Sequence, residues 1–129
     1  MFSNEIIMLI LVEDVPKLKE LLARGFKVDS QNQDGWSALF FSSYHGSIES
    51  VKLLLEFGAD ANLSNEHGFT ALFLSALNNH VEIAKLLIEY GANVNSKDKY
   101  GQTILEVAVR NSGIDVARLV ISNGAKFDV

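Results

Sequence analysis

The sequence predicts an all-α repeat solenoid, in which stacked helix-turn-helix units are joined by β-hairpin loops. Three observations predict it. The first is a period: Gly35, Gly68 and Gly101 stand 33 residues apart, Leu39, Leu72 and Leu105 keep the same step, and so do Gly25, Gly58, Gly91 and Gly124. Self-similarity of that length marks supersecondary units that cannot bury an apolar face alone and therefore stack. The second is a recurring cap: Asn4, Ser37, Thr70 and Thr103 share one repeat position, and each has a side-chain oxygen suited to an orphan helix N–H. The third is an apolar stripe at i, i+3 and i+4, formed by Val51, Leu54 and Leu55 and repeated by Ala84, Leu87 and Ile88. The units divide as 1–33, 34–66, 67–99 and 100–129, within one domain of 129 residues.

The first unit opens on "IIMLILV", Ile6 to Val12. It is preceded by Glu5 and no basic residue, is followed by "EDVPK" without a small-residue cleavage site, and is too short to span a bilayer. A buried helix is the expectation, although Ile7, Met8 and Leu11 do not all fit a one-sided stripe. Pro16, the sole proline, falls just inside the second helix of this unit, where its missing N–H does no harm.

In the second unit a first helix is predicted over Ala38 to His45, after the cap at Ser37, with equivalents after Thr70 and Thr103. These helices should break near Gly46, Asn79 and Ser112. Second helices are predicted over Ile48 to Phe57, Val81 to Tyr90 and Ile114 to Asn123. Glu49, Glu82 and Asp115 sit in their first turns, where the helix dipole favours an acid. Lys52, Lys85 and Arg118 follow three residues on as surface pairs of about 0.2 to 0.5 kcal/mol each. The recurring glycine then closes each second helix in a left-handed conformation. Asn62, Asn95 and Asp128 follow in polar, turn-rich stretches that read as hairpin-like loops.

The strings "DGWSALFFSSYHGSIESVKLLLEFGADAN", "HGFTALFLSALNNHVEIAKLLIEYGANVN" and "YGQTILEVAVRNSGIDVARLVISNGAKFD" together resemble the ankyrin repeat, and the resemblance covers nearly the whole chain. The first unit departs most: it keeps "LKELLARGFKVD" but has Phe2 where later copies have glycine. The family usually opens its first helix with Thr-Pro-Leu-His. Here the strings are Ser37-Ala38-Leu39-Phe40, Thr70-Ala71-Leu72-Phe73 and Thr103-Ile104-Leu105-Glu106. Alanine still propagates a helix, and Phe40 and Phe73 are expected to fill with apolar volume the space that histidine would have filled. Glu106 completes a Thr-x-x-Glu capping box, suited to a terminal unit.

Composition narrows the function. With no cysteine there is no disulfide, thiolate metal site or cysteine nucleophile, and a reducing, cytoplasmic setting is the expectation. A net charge of -5 argues against nucleic acid or anionic membrane as the main partner. His80 stands where the ankyrin family commonly has a structural histidine. His45 and His67 lack a carboxylate or second histidine at ligand spacing, so no metal, cofactor or general base is expected. The glycines are taken up by helix ends and hairpins rather than by a phosphate loop, and no nucleophile has a partner. An enzyme or small-molecule binder is therefore the minor alternative, and it would need a deep pocket.

The resemblance instead implies a protein partner on the concave side made by hairpin tips and first helices. In the second unit the positions concerned are Gln33, Asp34, Trp36, Tyr44 and His45. In the third they are Glu66, His67, Phe69, Leu77 and Asn78, and in the fourth Lys99, Tyr100, Gln102, Arg110 and Asn111. Repeat logic gives them no packing duty, yet they include four aromatics, the material of interface hot spots. The bland alternative is that Trp36 and Phe69 brace neighbouring hairpins. Formal charge by unit is -1, -4, 0 and 0, so a partner with a basic patch opposite Asp34 and Glu66 is expected. The module is expected to be a monomer acting as a stoichiometric inhibitor or antidote-type (immunity) protein, since no tail, linker or second motif suggests an adaptor. A scaffold joining two proteins and a domain self-associating through its apolar first helix are the alternatives.

Overall fold

The computed structural model describes residues 4–126. Its helices are α1 (Asn4–Leu11), α2 (Val15–Ala23), α3 (Ala38–His45), α4 (Ile48–Glu56), α5 (Ala71–Leu77), α6 (Val81–Glu89), α7 (Ile104–Arg110) and α8 (Ile114–Ser122). Consecutive helices pack in pairs, α1 on α2, α3 on α4, α5 on α6 and α7 on α8. The pairs then stack into two rows, α1, α3, α5, α7 and α2, α4, α6, α8. The expectations attached to Phe2, Asp128 and the side chain of Asn4 lie outside the described residues.

Local chemistry sets the element ends. Ser37, Thr70 and Thr103 have extended backbones, and their hydroxyls accept the N–H of Phe40, Phe73 and Glu106 at 3.2, 3.2 and 3.1 Å. Glu106 reaches back to the Thr103 N–H at 3.2 Å and closes the capping box. The breaks after the first helices fall on Gly46, Asn79 and Ser112, with φ of 88°, 53° and 58°; Glu13 takes the same left-handed turn after α1 at 56°. The second helices end one residue sooner than expected, with Phe57, Tyr90 and Asn123 as C-caps. Gly25, Gly58, Gly91 and Gly124 then turn left-handed, with open space where a Cβ would stand, so the backbone angle alone selects glycine there.

The core runs between the two helix rows. Val51, Leu54, Leu55, Ala84 and Leu87 are buried as the stripe requires, whereas Ile88 is half-buried. Phe40 and Phe73 are buried, in keeping with their role as apolar fill. "IIMLILV" corrects the expectation of a buried helix: α1 buries Ile6, Leu9 and Ile10 against the second pair and leaves Met8 and Leu11 exposed, as is Val12 just past its end. A helix at the end of a stack has a neighbour on one side only. Among the described residues Lys52 pairs with Glu49 at 3.6 Å and Lys85 with Glu82 at 3.5 Å, but the equivalent pair of Asp115 and Arg118 is not formed.

The expected β-hairpins are not formed as strands in the described loops. Their pairing is limited to isolated antiparallel bridges, Gln31 with Ser37 and Lys97 with Thr103, and no strand forms among the described residues. Side chains join one loop to the next: Asn62 Oδ1 accepts the Asn93 N–H at 2.8 Å while its Nδ2 donates to the Gly91 carbonyl at 2.9 Å. Asn95 repeats both bonds with Lys126 and Gly124, at 2.9 and 3.1 Å. Asp29, one period earlier, can only accept, and takes the Asp60 N–H at 3.0 Å.

Candidate protein-binding face

Each loop tip is built by one short side chain. Asn32 Oδ1 accepts the N–H groups of Asp34 and Trp36 at 2.9 and 3.0 Å. Asn65 does the same for His67 and Phe69 at 3.0 and 3.1 Å, and Asp98 for Tyr100 and Gln102 at 2.9 and 2.8 Å. Sequence reasoning passed over these three residues, although their 33-residue spacing is visible in the sequence. Neighbouring tips approach closely. A Cβ on Gly35 would stand 2.8 Å from Asn65 Cβ, and one on Gly68 would stand 2.9 Å from the backbone of Asp98 and Lys99. The Lys99 N–H donates to the His67 carbonyl at 2.9 Å. The tips therefore form a row whose order follows the helix stack.

The side chains on this row divide into two kinds. Gln33, Asp34, Tyr44, His45, Glu66, Asn78, Lys99, Tyr100, Arg110 and Asn111 are exposed, and Tyr100, at 73%, is the most open large hydrophobic among the described residues. Trp36, His67, Phe69, Leu77 and Gln102 are half-buried. The expectation that none of these residues has a packing duty is corrected here. Trp36 lies on its own helix pair, with its ring centroid 5.1 Å from Phe41, 5.7 Å from Tyr44 and 6.2 Å from Phe40. Phe69 stacks on Phe73 at 4.9 Å and 12°, with His67 at 5.6 Å on the same ring. Both aromatics therefore pack on rings of their own unit and against the core.

Polar contacts hold the rest. Asn78 Nδ2 and His80 Nε2 both donate to the Tyr44 carbonyl at 2.9 Å, which ties α5 and α6 to the last turn of α3 and gives His80 a structural bond. Asp98 is buried, and its second carboxylate oxygen accepts from Gln102 Nε2 at 2.7 Å. Gln102 Oε1 in turn accepts from the Arg110 guanidinium. Lys99 Nζ lies 5.2 Å from the Tyr100 ring centroid. His67 Nε2 is 3.7 Å from Glu66 Oε1, with Glu66 largely exposed and His67 half-buried. An open groove of about 440 Å³ lies between α6 and α8, lined by Val81, Lys85, Asp115, Arg118, Leu119 and Ser122.

Comparison with known proteins accords with the repeated helix pairs. A family model described as ankyrin repeats (3 copies) matches residues 7–98 and 58–129. Over 42 residues the chain is 43% identical to Protein VAPYRIN-LIKE of Medicago truncatula. That stretch is 33% of this chain and 9% of the relative, so the chain spans a small part of that protein's length.

Proposed function

The chain belongs to the ankyrin repeat family, whose repeats are protein-interaction modules, and from that premise we propose that this one is a non-catalytic binder of a partner protein. The partner docks on the row of loop tips and first helices, with the repeats divided at 1–33, 34–66, 67–99 and 100–129. One observation supports the face above all: exposed Tyr44 and Tyr100, with the outer edges of Trp36 and Phe69, share a row with exposed Asp34 and Glu66. Aromatic anchors beside exposed charge are what central hot spots and their rims are made of. Basic residues of the partner meet Asp34 and Glu66, and the acidic field speeds encounter.

The test is paired affinity capture with wild-type protein, a Tyr44→Ala, Tyr100→Ala variant and an Asp34→Lys, Glu66→Lys variant. A protein retained by wild type and lost from both variants supports the face. Equal retention by all three overturns it. The mode of action is read from the same complex. Loss of the partner's own activity at one equivalent supports a stoichiometric inhibitor of the antidote type, and a third protein bound at the same time supports an adaptor.

The exposure of Met8 and Leu11 on α1, and of Val12 just past it, favours a second reading, self-association through the end of the stack. Sedimentation across a concentration series tests it: a mass that doubles with concentration supports a dimer, and a constant monomer mass removes it.

A further inference from the structure

The tip row is not uniform in charge, and the order of its charges is fixed by the stack. Equivalent positions read Gln33, Glu66, Lys99 along one line, Asp34, His67, Tyr100 along a second and Tyr44, Leu77, Arg110 along a third, so exposed acids lie on the first two tips and exposed cations towards the last. The two ends also differ in how an equivalent pair is built. Trp36 and Tyr44 meet edge to face at 5.7 Å, whereas Gln102 and Arg110, two periods later, are joined by a hydrogen bond. Gln102 is itself fixed by the buried Asp98. Arg110 makes no ion pair with an acidic side chain among the described residues, although it is held at one nitrogen. A guanidinium has five donors in a planar fork, so this bond leaves the other side of the fork for a carboxylate. Preorganisation of that kind lowers the ordering cost of binding.

Resting on the reading of this row as the binding face, we infer that the face is bipolar. Its partner is a polypeptide segment that offers a basic group to Asp34 and Glu66 and a carboxylate to Arg110, so the segment binds in one direction. Arg110 is the anchor for the acid, Gln102 is a positioning residue, and Lys99 beside Tyr100 adds charge at the same end. Two steps between stacked helices span about 16 to 20 Å. An extended chain covers that in about five or six residues. A segment running the other way would set like charges against each other at both ends, which disfavours it.

The probe is a synthetic peptide with three lysines, a five-residue Gly/Ser spacer and three glutamates, carrying a nitroxide at the acidic end in one version and at the basic end in the other. Line broadening in the amide spectrum of ¹⁵N-labelled protein is the readout. The acidic-end label is expected to broaden Tyr100 and Arg110 and spare Asp34, and the basic-end label to do the reverse. Arg110→Gln should reduce the acidic-end broadening several-fold. Gln102→Leu should do so too, while Arg110 keeps its charge and the basic-end broadening at Asp34 persists. Because Gln102→Leu also disturbs Asp98, the exposed Arg110→Gln change carries the comparison if the former fails to fold. Equal broadening at both ends by either label overturns the inference and leaves the binding face standing. Broadening confined to α4, α6 and α8 overturns both. No broadening along the row overturns the bipolar inference, with the capture experiment still deciding the face.

Discussion

His80 Nε2 lies 2.9 Å from the carbonyl oxygen of Tyr44, 36 residues earlier, and its ring rests where a Cβ on Gly46 would stand, 2.7 Å from Cε1. The bond fixes the Nε2–H tautomer. It also fastens the last turn of α3, which carries Tyr44, to the start of α6. Loss of the bond through His80→Ala should cost about 1 kcal/mol, because Asn78 still donates to the same carbonyl. Gly46→Ala should cost more, since a left-handed alanine alone loses about 1 to 2 kcal/mol. The steric part of that loss should shrink in the double variant, so chemical denaturation of the four-member cycle should show coupling. Strict additivity would refute the contact.

Ser43 and Ser50 are buried, and neither hydroxyl has a hydrogen-bond partner. At the equivalent positions stand Ala76, and Ile83 and Val116. Ser43→Ala and Ser50→Ala should each raise stability, by about 1 to 3 kcal/mol if the full desolvation penalty is relieved. Leu54→Ala in the same helix pair should lower it by about 2 to 5 kcal/mol through a core cavity. Denaturant midpoints read both directions, and a loss in either serine variant would show that the hydroxyl has a bonded water.

Asn62 uses donor and acceptor at once to join two loops. Asn62→Asp keeps the acceptor and loses the bond to Gly91, so it should destabilise by about 1 kcal/mol, and Asn62→Ala should cost more. Hydrogen exchange at the Asn93 amide separates them: it should quicken strongly in the alanine variant and only slightly in the aspartate one. Equal exchange in the two would disprove the acceptor role.

Trp36 and Tyr100 should separate stability from binding. Trp36→Ala removes a ring packed on Phe40, Phe41 and Tyr44 and should cost about 2 to 4 kcal/mol of folding stability. Tyr100→Ala should change stability by no more than about 0.5 kcal/mol while weakening partner binding. Thermal melts run beside binding isotherms check both. Matching losses of stability in the two variants would assign Tyr100 a packing role.

Much of the fold was legible because its determinants are local. A hydroxyl three residues before an N–H caps a helix, a left-handed residue ends one, and an i, i+3, i+4 stripe names the buried side. Ser37, Thr70, Thr103 and the glycine ladder therefore placed the helix starts and stops to within a residue. The candidate face was named as positions on the loop tips and at the ends of the first helices, and stacking sets equivalent units side by side. The division of labour within it was not legible: the packing of Trp36 and Phe69 on their own helices, the hold of Asp98 on Gln102 and of Gln102 on Arg110, and the loop-building role of Asn65 were missed.

By itself, the sequence determined the period, the caps, the helix pairs and the stacked class, since each rests on residues a few places apart and recurs every 33. Only the tertiary structure decided which side of α1 faces water and how His80, Asn62 and Asn95 join one unit to the next. Those outcomes depend on neighbours about 30 or more residues away, whose distance and direction exist only once the units have stacked.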